Sequence, residues 1–278
     1  MAQDTHTHGA ERPIGVFDSG IGGLTVVREI HRLLPRENTI YFGDTARVPY
    51  GPKSESIVRR FALQNARFLT GLGVKAIVIA CNTASSVALQ TLQEQFSPPV
   101  IGVIEPGVKA AVEATKTGNI GVIGTVGTIE SKAYHRAIEE SKGQLKVFGQ
   151  ACPLFVPLAE EGWLTKESTY LIVDEYLAPL RKHNIDTLIL GCTHYPLLKP
   201  AISKVMGSEI TLIDSAEQTA RELLSLLRKR NMISIQGAAP EQTYYVSDVP
   251  RRFREVAQRF LGKKIESIHQ IDIETFEP

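Results

Sequence analysis

The segment Leu188-Ile189-Leu190-Gly191-Cys192-Thr193-His194-Tyr195-Pro196 restricts the fold more than any other stretch of the chain. An apolar run of strand length ends at a glycine, and a thiol, a hydroxyl and an imidazole follow at once. Proline then stands where a helix can begin. Ile77-Val78-Ile79-Ala80-Cys81-Asn82-Thr83-Ala84 repeats the pattern earlier in the chain. Two cysteines in matched strand-end settings imply a fold built to hold them across one small substrate.

The repetition extends to neighbouring segments. Ile14-Gly15-Val16-Phe17 reads as a strand, Asp18-Ser19-Gly20-Ile21-Gly22-Gly23 as a glycine-rich turn, and Leu24 to Leu34 as a helix stopped by Pro35. Asn119 to Thr125 matches that opening strand and turn. Lys146 to Gln150 matches Ile40 to Asp44, and Ile210 to Asp214 matches Ile101 to Glu105. Four elements recur in one order at offsets between 106 and 111, the mark of an internally duplicated unit. Strands alternating with helical segments predict an α/β fold with two similar α/β domains, mainly parallel sheets and a pseudo-twofold relation. Ligands of such sheets bind beyond the carboxyl ends of the strands, so the site is expected in the cleft between the domains.

The boundaries follow. Residues 13–105 and 215–278 form the first domain and 106–214 the second, with 1–12 a disordered tail. After Asp214, Ser215-Ala216-Glu217-Gln218 reads as a capping box opening a helix to about Arg230. The strand from Thr243 to Val246 and the helix from Pro250 to Leu261, stopped by Gly262, pack back on the first domain.

A length of 278 residues fits two domains, and 31 Lys+Arg against 30 Asp+Glu leave no sustained basic stripe, so nucleic acid is not an expected partner. Three cysteines are an odd number in a chain too long to need staples, which argues for reduced thiols. No apolar run approaches the ~18 residues of a membrane span. The polar start from Met1 to Arg12 has no apolar centre, and its His6 and His8 read as tail residues before metal ligands. The expected protein is soluble and cytoplasmic.

Each cysteine is followed by hydrogen-bonding residues and stands just before a helix, where the N-terminal dipole favours a thiolate. A lone buried cysteine is usually a small hydrophobe, but two in equivalent places ask for a common use. A zinc site needs four ligands at spacings this chain lacks. A redox pair would put the sulfurs in contact, and a hydrolase would leave one thiol without a task. Inversion of a carbon stereocentre needs a base on one face and an acid on the other, which two opposed thiols supply. Asp18 and His194 are the candidates to set their protonation states. Ser19, Asn82, Thr83, Thr193 and the Tyr50-Gly51 amides are candidate clamps for substrate carboxylates. Neither phosphate-loop pattern is met at Asp18 to Gly23, so a nucleotide site is a weak reading.

Asp18-Ser19-Gly20-Ile21-Gly22-Gly23-Leu24, Asp44-Thr45-Ala46-Arg47-Val48-Pro49-Tyr50-Gly51, Ala80-Cys81-Asn82-Thr83-Ala84 and Gly191-Cys192-Thr193-His194-Tyr195-Pro196 resemble the motifs of the glutamate racemase family. That family sits within the cofactor-independent amino-acid racemases. The resemblance runs from about Pro13 to Arg230, with four separated blocks in family order. It implies interconversion of L- and D-glutamate without pyridoxal phosphate, supplying D-glutamate for peptidoglycan, by a protein that is commonly a homodimer. It further implies that Cys81 takes the proton from D-glutamate with Asp18 assisting, and Cys192 from L-glutamate with His194 assisting. A family glutamate near the second thiol is matched by either Glu160 or Glu161. Aspartate racemases of the same fold usually carry an acidic residue at the position of His194. The competing readings are a racemase for aspartate or another amino acid, and a binding protein with structural cysteines.

Overall fold

The opening strand, β1 (Ile14–Asp18), is buried at every position, as a strand covered on both faces must be. Gly15 is required inside it, because a Cβ there would stand 2.9 Å from Val74 Cγ1. The computed structural model describes residues 9–141, 144–235 and 237–277. The remaining strands are β2 (Thr39–Gly43), β3 (Ala76–Ile79), β4 (Val100–Gly102), β5 (Asn119–Gly124), β6 (Lys146–Ala151), β7 (Thr187–Gly191), β8 (Thr211–Asp214), β9 (Gln242–Val246) and β10 (His269–Gln270). They form two sheets, ordered β10-β9-β2-β1-β3-β4 and β6-β5-β7-β8, with every pairing parallel. The order 2-1-3-4 of the first sheet recurs as 6-5-7-8 in the second.

Register separates true counterparts from sequence matches. Gly15 lies opposite Ile40 and Ile77, and its counterpart Gly121 lies opposite Phe148 and Leu188. The cysteine strands therefore superpose as the sequence suggests. Ile40, however, corresponds to Phe148 and not Lys146, two residues further on. Val78 pairs with Ile101 and Ile189 with Ile213, so Ile101 corresponds to Ile213 and not Ile210. At β6 the slip is two residues, which keeps the same face inward and hides it from an apolar pattern; at β8 it is three, hidden because Ile210, Leu212 and Ile213 put apolar residues on both faces of the run.

The helices connecting the strands are α1 (Leu24–Leu33), α2 (Glu55–Gly71), α3 (Asn82–Gln95), α4 (Ile104–Ala114), α5 (Val126–Glu130), α6 (Ala133–Glu139), α7 (Phe155–Glu160), α8 (Glu167–Arg181), α9 (Lys199–Met206), α10 (Ser215–Lys229) and α11 (Pro250–Leu261). Ile104, Val108 and Ala111 of α4 share a core with β5, β7 and β8. Ala216, Ala220, Leu223 and Leu227 of α10 instead join Phe253, Ala257 and Phe260 of α11 under the first sheet. The Asp214 carboxylate, not Ser215, caps α10 by accepting from the Ala216 N–H at 2.9 Å. β8 runs into the helix with no loop between them, so the cap falls one residue earlier than the capping box predicts. The segment Ile101 to Glu105, matched in the sequence to a strand, leaves β4 at Gly102, because Ile104 already opens α4.

The tail expected to fray up to Arg12 is in fact packed where it is described. Ala10 is buried, and the Glu11 carbonyl accepts from the Asn38 amide at 3.0 Å. His6 and His8 lie outside the described residues. The fastening is a buried ion pair at the amino ends of the strands, Lys75 with Glu37. The same ammonium donates to the carbonyls of Ala10 and Met232, and Glu37 accepts from the Ser234 N–H at 2.8 Å. Lys75→Met leaves the Glu37 charge buried and is expected to cost about 3–5 kcal/mol in urea unfolding, most of it recovered when Glu37→Gln is added. A loss below about 1 kcal/mol would contradict this reading of the pair.

Candidate active site

β3 and β7 end in equivalent places, and each hands its chain to a cysteine. Cys81 is the N-cap of α3, its sulfur accepting from the Ala84 N–H at 3.5 Å. Cys192 follows Gly191, which must be glycine because a Cβ there would stand 2.7 Å from the Ile123 carbonyl. Both thiols are 6 % exposed. The sulfurs lie within electrostatic reach of each other, since charge on Cys192 adds to the proton affinity of Cys81.

The carboxyl ends of the two sheets meet directly. Gly22 in the first turn packs so closely on the second half that a Cβ would lie 2.2 Å from Thr193 Oγ1 and 2.5 Å from His194 Nδ1. Thr25 Oγ1 lies 2.9 Å from the Gly22 carbonyl and 3.0 Å from that of Thr193. On the other side, the Gly127 N–H donates to the Gly51 carbonyl at 3.0 Å.

The two thiols have different neighbours. The Cys81 sulfur lies 3.7 Å from Ser19 Oγ, and Asp18 ends the adjacent strand. Asp18 Oδ2 accepts from the Gly20 N–H at 3.0 Å, while its buried Oδ1 has no partner among the described residues. Burial raises the Asp18 carboxyl, opposed by the His194 charge and the amides of Gly20, Gly23 and Ser19. Burial and then the Asp18 charge push the Cys81 thiol up to about 12.

Cys192 Sγ lies 3.8 Å from His194 Nδ1, which also stands 3.5 Å from Thr193 Oγ1. The other ring nitrogen, Nε2, meets Glu160 Oε1 at 3.0 Å. Burial alone would pull the ring down, but its hydrogen bonds to Cys192 and Glu160, with the charge of both, push it up to about 10. Glu160, at the end of α7, is thus the carboxylate that reaches the second thiol's histidine. Glu161 is exposed and caps the helix. The Arg259 guanidinium on α11 donates to the Glu160 carbonyl, and the Phe260 ring meets the His194 ring edge-on at 5.2 Å.

Not every expected clamp points at the cleft through its side chain. The Tyr50 hydroxyl is turned away, donating to the Asp44 carboxylate and accepting from the Asn65 amide at 3.2 Å. Gly51 contributes a carbonyl to the contact between the halves. Thr83 Oγ1 lies 3.0 Å from Thr125 Oγ1 and 3.2 Å from Thr128 Oγ1, in a triangle of hydroxyls that spans the halves. Thr125 and Thr128 escaped the sequence reading. The duplication held the signal, because Thr125 follows β5 where Ser19 follows β1. Asn82 is buried with its Nδ2 unpartnered. An unsatisfied acceptor on Asp18 and an unsatisfied donor on Asn82 suit a ligand that carries both an ammonium and a carboxylate. No group of three or more His, Cys, Asp or Glu that could hold a metal ion occurs among the described residues.

Comparison with known proteins identifies the family. The Asp/Glu/hydantoin racemase family model matches residues 14–223. A glutamate racemase of Geobacter metallireducens is 51% identical over 263 residues, covering 95% of this chain and 97% of the relative. The crystal structure of glutamate racemase from Francisella tularensis in complex with D-glutamate superposes with a TM-score of 0.90 at 41% identity, covering 96% of this chain and 100% of that one. A glutamate racemase isoform of Bacillus anthracis superposes with a TM-score of 0.91 at 45% identity, covering 95% and 98%. With the family model matching β1 to β8 and these relatives covering nearly the whole length, the chain belongs to the Asp/Glu/hydantoin racemase family.

Proposed function

We propose that the protein is a glutamate racemase that interconverts L- and D-glutamate by passing protons between Cys81, Cys192 and the substrate α-carbon, with no cofactor in the step. The observation that carries this reading is a pair of thiols at equivalent strand ends, each beside a different proton-holding partner. In one direction the Cys192 thiolate takes the α-proton from L-glutamate, and the S–H of Cys81 gives its proton to the opposite face of the carbanion. Cys192 ends as thiol and Cys81 as thiolate, and the reverse reaction restores them. Burial and Asp18 keep the proton on Cys81, and the His194 imidazolium stands 3.8 Å from the Cys192 sulfur. A protonated Cys81 is the donor that attack on L-glutamate requires. Attack on D-glutamate requires the Cys81 proton to leave first, and the unpaired oxygen of Asp18, whose charge acts on that thiol, is the group suited to take it.

Substrate carboxylates are held through neutral donors: Ser19, Asn82, Thr83 and Thr193, with the Tyr50-Gly51 backbone. Residues 13–105 with 215–278 make one domain and 106–214 the other. The joining of β9 and β10 to the first sheet supports that division, while α4, which packs on the second sheet from Ile104 onward, moves the first boundary to just before Ile104. No described helix is long and apolar enough to cross a membrane. The family resemblance supports a cytoplasmic homodimer that supplies D-glutamate for peptidoglycan.

The test is racemisation in D₂O without added cofactor, followed by circular dichroism and by proton NMR at Cα. Each pure enantiomer should relax to the racemate and gain deuterium at Cα. Retention of optical activity would overturn the proposal, and faster turnover of aspartate than of glutamate would reassign the substrate.

A further inference from the structure

Asn82 presents a choice that its own shape does not decide. The two ends of a carboxamide are sterically alike, so whatever engages one end determines which chemistry the other offers. Here Oδ1 accepts from the Tyr134 hydroxyl at 2.7 Å, and the buried Nδ2 has no partner. Tyr134 comes from the other half of the molecule, on α6, and is 1 % exposed. Its ring lies on the strand end that carries the second thiol: a Cβ on Gly191 would stand 3.1 Å from Tyr134 Cε2. One side chain thus touches the residue before Cys192 with its ring and the residue after Cys81 with its hydroxyl.

The direction of that hydrogen bond follows from its surroundings. Ser215 Oγ gives its own proton to the Leu190 carbonyl at 3.2 Å, so toward Tyr134 it is a competing acceptor, but a distant one at 3.4 Å. The Tyr134 proton is best placed on Asn82 Oδ1, at 2.7 Å. The opposite amide orientation would turn a carbonyl oxygen toward the cleft, where it would repel a substrate carboxylate.

We infer that Tyr134 is a positioning residue for the reaction: it locks the Asn82 amide so that its NH₂ faces the cleft as a donor to a substrate carboxylate. The inference rests on the racemase reading and adds the group that orients one of its clamps. Because the contact joins the two halves, the clamp is fully formed only when they are together.

The experiment compares Tyr134→Phe, Asn82→Ala and the double variant with the wild-type protein. KM and kcat are measured for both enantiomers of glutamate, and melting temperature for every variant. Tyr134→Phe should raise KM about tenfold for both enantiomers and lower kcat at most about threefold, with a melting temperature within a few degrees of wild type. The double variant should be no weaker than Asn82→Ala alone, since the hydroxyl acts only through that amide. An unchanged KM in Tyr134→Phe, or additive losses in the double variant, overturns the inference. Should Tyr134→Phe fail to fold, Asn82→Asp serves instead. It keeps the acceptor for Tyr134 but replaces the donor with a charged oxygen, and a wild-type KM there also overturns the inference. A wild-type protein inert toward glutamate would sink the racemase reading itself, a separate outcome.

Discussion

Cys81→Ala and Cys192→Ala are each expected to lower racemisation of glutamate by at least about a thousandfold while the protein stays folded. The sulfur atoms are small and buried, and neither makes more than weak hydrogen bonds, so the structural cost of their removal is modest. The catalytic cost is large because inversion needs a proton acceptor on one face and a donor on the other, and either loss leaves one face bare. Thermodynamics adds a sharper requirement. The two enantiomers have equal free energy in water, so kcat/KM must fall by the same factor in both directions, whichever thiol is removed. Solvent exchange escapes that symmetry. With Cys81 alone, D-glutamate should exchange its α-hydrogen for deuterium slowly and keep its configuration, while L-glutamate should not exchange. With Cys192 alone the preference should reverse. Substantial inversion in either single variant would end the two-thiol reading. Equal exchange of both enantiomers in one variant would show that another base reaches the second face.

The cysteine strands, the glycine turns and the duplicated order are legible in the sequence because these are properties of short apolar runs and their ends. Cys81 and Cys192 sit where a buried strand stops, and that boundary is written in adjacent residues. Tertiary direction is not. Nothing local tells Glu160 from Glu161; the last turn of α7 aims the first at His194 and leaves the second in solvent. The place of Arg47 in a Pro- and Gly-rich loop likewise gave no hint of its bond to Asp44, which also takes the Tyr50 hydroxyl and turns it from the cleft. Thr125, Thr128 and Tyr134 lie in a stretch whose composition suits any helix start. Only superposing β5 on β1 brings Thr125 to the place of Ser19. The register slips at β6 and β8 show why that superposition was incomplete. Apolar strands specify which face is buried, and hydrogen-bond pairing with the neighbouring strand decides the rest.

The raised proton affinity of His194 yields the second large effect. Its ring is held as imidazolium by Glu160 on one nitrogen and Cys192 on the other, with its pKa pushed up to about 10 against an ordinary 6.5. His194→Gln should therefore lower kcat by at least about a hundredfold, since the reacting sulfur of Cys192 loses the cation that stands 3.8 Å from it. Folding is coupled to the same proton. Because the folded-state pKa lies above the unfolded one, the stabilisation is complete below about pH 6.5 and drains away as pH rises toward about 10. The wild-type protein should accordingly lose stability across that alkaline window more steeply than His194→Gln, by chemical denaturation at a series of pH values. Glu160→Gln supplies the finer test. It keeps an oxygen to accept from Nε2 but removes the negative charge, so the alkaline fall in kcat/KM should move at least about one unit toward neutral. The substrate ammonium titrates identically with every variant, so the difference between profiles belongs to the ring. Coincident profiles for wild type and Glu160→Gln would mean that Cys192, not the carboxylate, holds the proton on His194.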